Sequence, residues 1–555
     1  MRKTIKANLD ALRRRSSDAE NLLLDAALAG TVSRRDFLRH GSVLGLSLPQ
    51  LSALGTAFGL QTLTTRRAFA AAPGGTVRVA CLTPTTVIDP VTVGDLGGQI
   101  ILQQTGEFLA ISGPDLVLKP LLAESWKPNA DGSVWTFALR RGVKFHNGAE
   151  MKADDVVASI NRLADPAGAS NALSVFTGVL GKGGAKKVDD YTVAFHLDAP
   201  NGNFPYLVSS DNYNAIIIPA AYSGDFEKHF TATGPFKLET YTTGVGASFV
   251  RNDDYWGTKA LLDRTEFAFY ADIVPQVLAL QAGQVDVISQ LPVIQGIPLL
   301  DDPNVAITSI RSSGHTQVHM RTDTAPFTDK RVRQAIALTL DRQKVVKGLF
   351  RGRADLGNDS PFAPVFPATD TGVAQRSRDI AQAKQLLDAA GFAKGLSVKL
   401  TVIKSIEIPA YCQLLQQGAR EAGITIDLNI MESGAYYGDA VYGKSPWLDS
   451  PFGATDYGHR GAPNVLLSAP LKSDGAWNAA HFKNSHYDAL VSKFVAALDI
   501  QSQRAAAGDI QKVLLDETPV IFGYFFNFLM ASAKNVKGVQ ATALGQIFLG
   551  EASIG

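Results

Sequence analysis

Three short stretches hold residue types that could do chemistry. "GDAVYGKS" (438–445) fits G-x-x-x-x-G-K-[ST], the loop whose backbone amides cradle nucleotide phosphates. Such a loop needs a strand running into its first glycine and a helix starting at its Lys-Ser pair. Here the strand-like "ITIDLNIM" (424–431) is followed by "ESGAYY", which reads as a helix start. Pro446 comes directly after Ser445, and "WLDS" reads as the entry to a strand. The order is wrong for a phosphate site, and Gly443-Lys444 is expected to be a turn. "HTQVH" (315–319) sets His315 and His319 four apart, which on a helix would be a metal pair. Thr316 and Val318 point instead to a strand, where such residues lie about 13 Å apart along the chain. His481 and His486 are poorly spaced for ligands, and no G-x-S-x-G nucleophile elbow occurs. The two cysteines, Cys81 and Cys412, have no Cys or His neighbour at ligand spacing, which argues against zinc or iron–sulfur sites. Whether they pair with each other is left open. No cofactor is expected, and nothing supports hydrolase or nucleotide chemistry.

The chain's 555 residues suffice for two or three lobes with their own cores. Hydrophobic residues at 46 % and charged residues at 19 % are ordinary for a water-soluble globular protein. The net charge of +1 hides an asymmetry: the first 70 residues carry 11 Lys/Arg against 5 Asp/Glu, the remainder 42 against 47. A mildly acidic body argues against nucleic acid as the main partner.

The basic N-terminal stretch contains "SRRDFL" (33–38), with the pair Arg34-Arg35 followed by Phe37-Leu38. An uncharged run from Gly41 to Thr65 comes next, then Ala68-Phe69-Ala70. In that order these features resemble a twin-arginine export signal. The resemblance implies passage through the twin-arginine translocase, cleavage near Ala70 and a periplasmic protein. The alternative is an uncleaved membrane anchor, since about 20 apolar residues could span a bilayer. Gly41, Gly45, Gly55, Gly59 and Pro49 make that a weak span. Ahead of the signal, residues 1–32 read as a short amphipathic helix with Leu9, Leu12, Leu22 and Leu23 among charges. Cys81 ends the strand-like "TVRVACL" and lies too far along to be a lipoprotein cysteine.

Beyond residue 73, strand-like and helix-like segments interleave, which makes the chain α/β. "SVWTFALR" (133–140) and "YTVAFHLD" (191–198) alternate as half-buried strands do. Helices are expected over 153–166, over 329–350 with Thr328 as cap, over 378–392 ending at Gly391, and over 485–498. The apolar "TPVIFGYFFNFLMASA" (518–533) is too short for a membrane span and reads as a core strand returning to an early domain.

Five blocks in order resemble one family. "LAESWKPNADGSVWTFALRRGVKFHNGAEMKADDVVASINRL" (122–163), "TGPFKL" (233–238), "RNDDYWG" (251–257), "FTDKRVRQAIALTLDRQKVV" (327–346) and "AKQLLDAAGF" (383–392) are similar to the peptide-type, family 5 solute-binding proteins of ATP-binding-cassette (ABC) importers. The likeness implies a two-lobed periplasmic binding protein of type II, without catalysis. Lobe I would be 73–315 plus 510–555, with an extra subdomain at 112–225, and lobe II 316–509, after an N-terminal extension and signal at 1–72. The crossovers near 313–318 and 508–515 would form the hinge. A small molecule or short peptide would sit between the lobes, and the closed monomer would dock on permease subunits in the membrane.

The resemblance also implies a site. In peptide-binding relatives an aspartate pairs with the ligand's α-ammonium, and Asp456 in "PFGATDYGHRGAP" (451–463) falls on that match, beside Tyr457. It could equally be a capping residue of a surface loop. Downstream the sequence departs from the family, with His459 and Arg460. Arg460 could hold a ligand carboxylate in a bidentate grip or an acidic partner in its own lobe. Trp477 and Asn478 could wall the cleft or simply pack. Thr85 and Thr86 in the first βα loop, and Tyr213 and Asn214 in "SSDNYNA", complete the candidates. The solute is expected to be a short peptide or amino-acid derivative; opines, oligosaccharides, metal chelates and a sensor role fit the same frame.

Overall fold

A computed structural model of the chain describes residues 13–14, 16–46, 50–51 and 74–555. The cleavage triplet 68–70, most of the apolar run 41–65, and Leu9 and Leu12 lie outside the described residues.

Near the N-terminus two helices, α1 (Asp18–Leu28) and α2 (Arg34–Val43), precede the body. Ser17 and Glu20 form a capping box at α1, and the Ser33 side chain caps α2. Arg34 and Arg35 therefore sit in the first turn of a helix.

The body opens with β1 (Thr76–Leu82) and α3 (Leu96–Thr105). A small subdomain follows, built on β2 (Ala123–Pro128), β3 (Val134–Leu139), α4 (Ala153–Leu163), β4 (Ala185–Asp189) and β5 (Thr192–His196), its sheet ordered β2-β3-β5-β4. In β3 the alternation decides the faces: Trp135, Phe137 and Leu139 are buried, and Val134, Thr136 and Ala138 half-buried. Phe137 and Phe204 each pack on Phe195, at centroid distances of 5.2 Å.

The chain then returns to the first lobe through β6 (Phe236–Thr242), β7 (Gly246–Arg251), β8 (Arg264–Tyr270), β9 (Val287–Ile288) and β10 (Val305–Arg311). It crosses at Ser312–Gly314 into a second sheet made of β11 (His315–Met320), β12 (Leu396–Ile403), β13 (Ile424–Met431), β14 (Phe452–Tyr457) and β15 (Val520–Phe522). Between these strands run α5 (Lys330–Thr339), α6 (Ile408–Glu421), α7 (Ser485–Ala496) and α8 (Ile500–Glu517). After β15, Gly523 leads straight into β16 (Tyr524–Ala533), back in the first sheet. That sheet is ordered β10-β16-β9-β1-β8-β7-β6, with Ala354–Leu356 also pairing on β16. The second is ordered β13-β12-β14-β11-β15. Two sheets joined by two crossovers make a two-lobed type II binding-protein fold.

Several elements differ from their sequence-based expectation. The return crossover falls at Gly523 and not near 508–515, because Val520–Phe522 still pairs with β11. The apolar run 518–533 is thus divided between two sheets. The cap of α5 is Asp329, whose carboxylate accepts the Arg331 amide, and not Thr328. The same helix stops at Thr339 and short of 350, because Leu340 is extended and Asp341 caps a new short turn. Cys81 and Cys412 are both buried and unpaired.

Candidate functional site

A cavity of about 430 Å³ opens between the lobes, within the size range of small-molecule sites. Its walls come from the turns that leave parallel strands at their carboxyl ends, the usual place for ligands in open α/β sheets. β1 leads to Gly94, Leu96 and Gln99, and β12 leads to Ser405, Ile406 and Glu407. β14, in the middle of the second sheet, ends in Asp456 and Tyr457 and delivers Gly458, His459 and Arg460. Tyr213, Gln290 and the β16 residues Asn527 and Phe528 close the first-lobe side.

The second-lobe rim carries two carboxylates. Asp456 is exposed, and its Oδ1 accepts the Tyr437 hydroxyl at 2.8 Å. Glu407 accepts the Tyr524 hydroxyl at 2.9 Å. Burial raises the Glu407 carboxyl above its ordinary range, and the Asp456 charge adds to the rise. On the same rim the Arg460 Nη1 donates to the His459 carbonyl at 3.0 Å, while its Nε has no partner. Among the described residues Arg460 makes no ion pair with a carboxylate. Burial lowers its pKa, and the Tyr213 and Asp211 side chains oppose that. His459 accepts the Ser313 amide on Nδ1 at 3.0 Å, and burial holds its pKa down to about 3, so the ring is neutral. Its Nε2 is buried without a partner. Ser313 belongs to the crossover between the two sheets, so this bond ties the site to that crossover. Two acidic groups and one unpaired guanidinium around an aromatic-walled cleft suit a solute with both an ammonium and a carboxylate.

Of the residues singled out from sequence, Asp456, Tyr457, His459, Arg460 and Tyr213 line this cavity. The other five stand outside it, four of them with other work. Thr85 is exposed, and Thr86 donates to the Asp95 carboxylate that caps α3, at 3.0 Å. Asn214 is buried and donates to the Pro90 and Val93 carbonyls, fixing the loop after β1. Asn478 ties its own loop through the Lys472 and Phe482 carbonyls. Trp477 packs behind Tyr457 at 6.2 Å between centroids, so it supports a wall and does not form one. Glu407 was not anticipated. Its signal was present: an acidic residue just after a strand and before an Ile-Pro helix start, the position that open α/β sheets give to ligands.

The other motifs resolve differently. The loop 438–445 follows a short helix, Ser433–Tyr437, and not a strand. The Gly443 and Ser445 amides donate to the Asp449 carboxylate, at 2.8 and 3.0 Å, which leaves them unavailable to a phosphate. Lys444 faces Asp439 at 3.6 Å, and Pro446–Asp449 form one helical turn where a strand entry was expected. His315 and His319 are buried in β11, bonded to the Ser313 and Ser450 carbonyls. Among the described residues no group of three or more His, Cys, Asp or Glu side chains could hold a metal, and no helix is long and apolar enough to cross a membrane.

Comparison with known proteins bears on the same cleft. A sequence model described as "Bacterial extracellular solute-binding proteins, family 5 Middle" matches residues 117–458. The chain is 26 % identical over 437 residues to Heme-binding protein A of Haemophilus influenzae, covering 73 % of this chain and 78 % of that protein. It is 26 % identical over 508 residues to Glutathione-binding protein GsiB of Salmonella choleraesuis, covering 88 % and 95 %. Its fold matches the ABC transporter-associated periplasmic binding protein DppA of Helicobacter pylori, solved with the peptide STSA, with a TM-score of 0.72 at 21 % identity, over 87 % of this chain and 98 % of that one.

Proposed function

Because the chain belongs to family 5 of the bacterial extracellular solute-binding proteins, and is the solute-capturing component of an ABC transporter, we propose that its solute is a short peptide or amino-acid derivative. The observation that carries this reading is the convergence of Asp456, Glu407 and the unpaired Arg460 on one interlobe cavity. An α-ammonium meets the carboxylates, a carboxylate meets the guanidinium, and Phe350, Phe526 and Phe528 pack the side chains. Capture is reversible and involves no bond chemistry. The open protein closes on solute because solute touches both lobes only when they are closed, so its differential contacts set the population shift. The closed monomer then presents both lobes to permease subunits in the membrane.

We further read Arg34-Arg35 and the following apolar run as a twin-arginine signal, cleaved near Ala70 to release a periplasmic protein. A second reading has one specific support: His459 and Arg460, neither with a carboxylate partner among the described residues, give the rim an anion-binding corner suited to an acidic non-peptide solute.

Native mass spectrometry of protein purified gently from its own envelope tests both. A ladder of short-peptide masses supports the first reading, and one non-peptide acidic mass the second. With an identified amine-bearing solute, Asp456→Ala is expected to weaken binding at least about tenfold in calorimetric titration. Unchanged affinity removes Asp456 from the site.

A further inference from the structure

The N-terminal helices lie against both lobes. Leu23, Leu24, Phe37, Val43 and Leu44 are all at most 3 % exposed, packed into the core shared by the subdomain and the adjoining second-lobe helices. Polar bonds fasten the pair on either side of the lobe boundary. Toward the first-lobe subdomain, the Ser42 hydroxyl accepts the Leu118 amide at 2.9 Å, and Trp126 Nε1 donates to the Val43 carbonyl at 3.0 Å. Toward the second lobe, His40 bonds the Leu498 carbonyl at 2.8 Å, Arg504 donates to the Thr31 carbonyl at 3.0 Å, and Arg504 lies 3.5 Å from Asp36. Arg39 spans the boundary alone: its Nε donates to the Asp115 carbonyl of the subdomain and its Nη1 to the Val365 carbonyl of the second lobe. This side chain is 2 % exposed.

Beneath the helices the two lobes also touch directly. The Gly202 amide donates to the Val495 carbonyl at 2.8 Å, and Asn203 donates to Asn464 at 3.0 Å. Arg39, His40, Asn203 and Gly461 line one small crevice along this seam.

We propose that residues 17–46 are a clasp, bound across both lobes, that holds them closed in the uncut chain. Hinge opening separates the subdomain from the second lobe, and the clasp cannot keep both sets of bonds while that happens. Opening the uncut chain therefore breaks the Arg39 bridge and uncovers apolar side chains, in addition to the direct seam. Loss of residues 17–46, by processing or otherwise, removes that barrier and frees the lobes to exchange solute. The inference does not depend on which solute binds.

The test uses the full chain and its Arg39→Met and Arg39→Met/Arg504→Ala variants, since methionine keeps the apolar stem of residue 39. Hydrogen exchange is read at the Gly202 amide and at the β12–β13 pairing, with the radius of gyration from small-angle scattering. The Gly202 amide should exchange at least about tenfold faster in Arg39→Met, and faster again in the double variant. The β12–β13 amides should keep their rates, and the radius of gyration should rise. Gly202 exchange equal to that of the unmodified chain overturns the proposal. So does a rise that is equal at the seam and at β12–β13, because that reports general destabilisation.

Discussion

The fold treats the two cleft carboxylates differently. Asp456 stands in solvent with one hydroxyl donor, whereas Glu407 is half-buried and desolvation raises its carboxyl, so it holds its proton to higher pH. A bound ammonium favours the ionised form of Glu407, so binding a cationic solute must expel that proton. Affinity should therefore strengthen as pH rises through the raised Glu407 range, and calorimetry in buffers of different ionisation enthalpy should register proton release. Glu407→Gln should abolish both effects; their persistence would mean that another group takes up the charge. A buried carboxyl elsewhere, Glu107, accepts Tyr255 and Trp256 donors, yet burial raises it to about 7 from 4.5. Between those values the folded chain binds more protons than the unfolded one, so stability falls as pH rises, by on the order of 3 kcal/mol in total. Glu107→Gln keeps the shape and one acceptor, and should flatten the dependence of the unfolding midpoint on pH across that window.

At the scale of elements, α3 brings Leu96 and Gln99 to the cleft only because it lies directly on the end of β1. A Cβ on Gly97 would sit 2.2 Å from the Leu82 carbonyl oxygen. Gly97→Ala must push the helix off the strand, which should lower stability by about 1–3 kcal/mol and weaken solute binding with it. Chemical denaturation alongside solute titration checks both; loss of stability with intact affinity would show that the cleft repacks. This kind of close approach is invisible in one sequence, whereas the elements themselves were largely legible. Alternation in "SVWTFALR" and apolar spacing in "ADDVVASINRL" are local properties, and they read true as β3 and α4. Five of the candidates line the cavity; four of them, Asp456, Tyr457, His459 and Arg460, come from the single stretch at the end of β14, and Tyr213 lies in a segment outside the five blocks. Asn214, Trp477 and Asn478 stand outside the cavity, and sequence left their place open because a polar or aromatic residue beside a cleft looks the same whether it faces the solute or braces the loop behind. The break at Gly523 was hidden for a related reason: both β15 and β16 are apolar, and only pairing partners tell the two sheets apart.

At the scale of the whole molecule, closure needs two rigid lobes and a defined return crossover, and one buried charge cluster serves both. Asp359 is fully buried and accepts Arg342 and Arg376 at 2.6 Å each, together with the Phe522 amide at 3.0 Å. Phe522 is the last residue of β15, one step before the chain leaves for the first sheet, so this carboxylate fixes the place at which the second lobe ends. Two guanidiniums face it, 4 % and 11 % exposed. Asp359→Asn keeps the shape but removes the carboxylate that, among the described residues, is the only one bonded to either of them. Breaking a buried pair in this way typically costs about 3–5 kcal/mol, because the charge left behind is neither paired nor hydrated. The loss should appear as a lower denaturant midpoint with an unchanged slope, since the surface exposed on unfolding is the same. If the slope falls as well, the lobes are unfolding separately, and Asp359 is then what couples them into one cooperative unit. A loss below about 1 kcal/mol would mean that water reaches the arginines once the charge is gone, as it does for pairs at the surface.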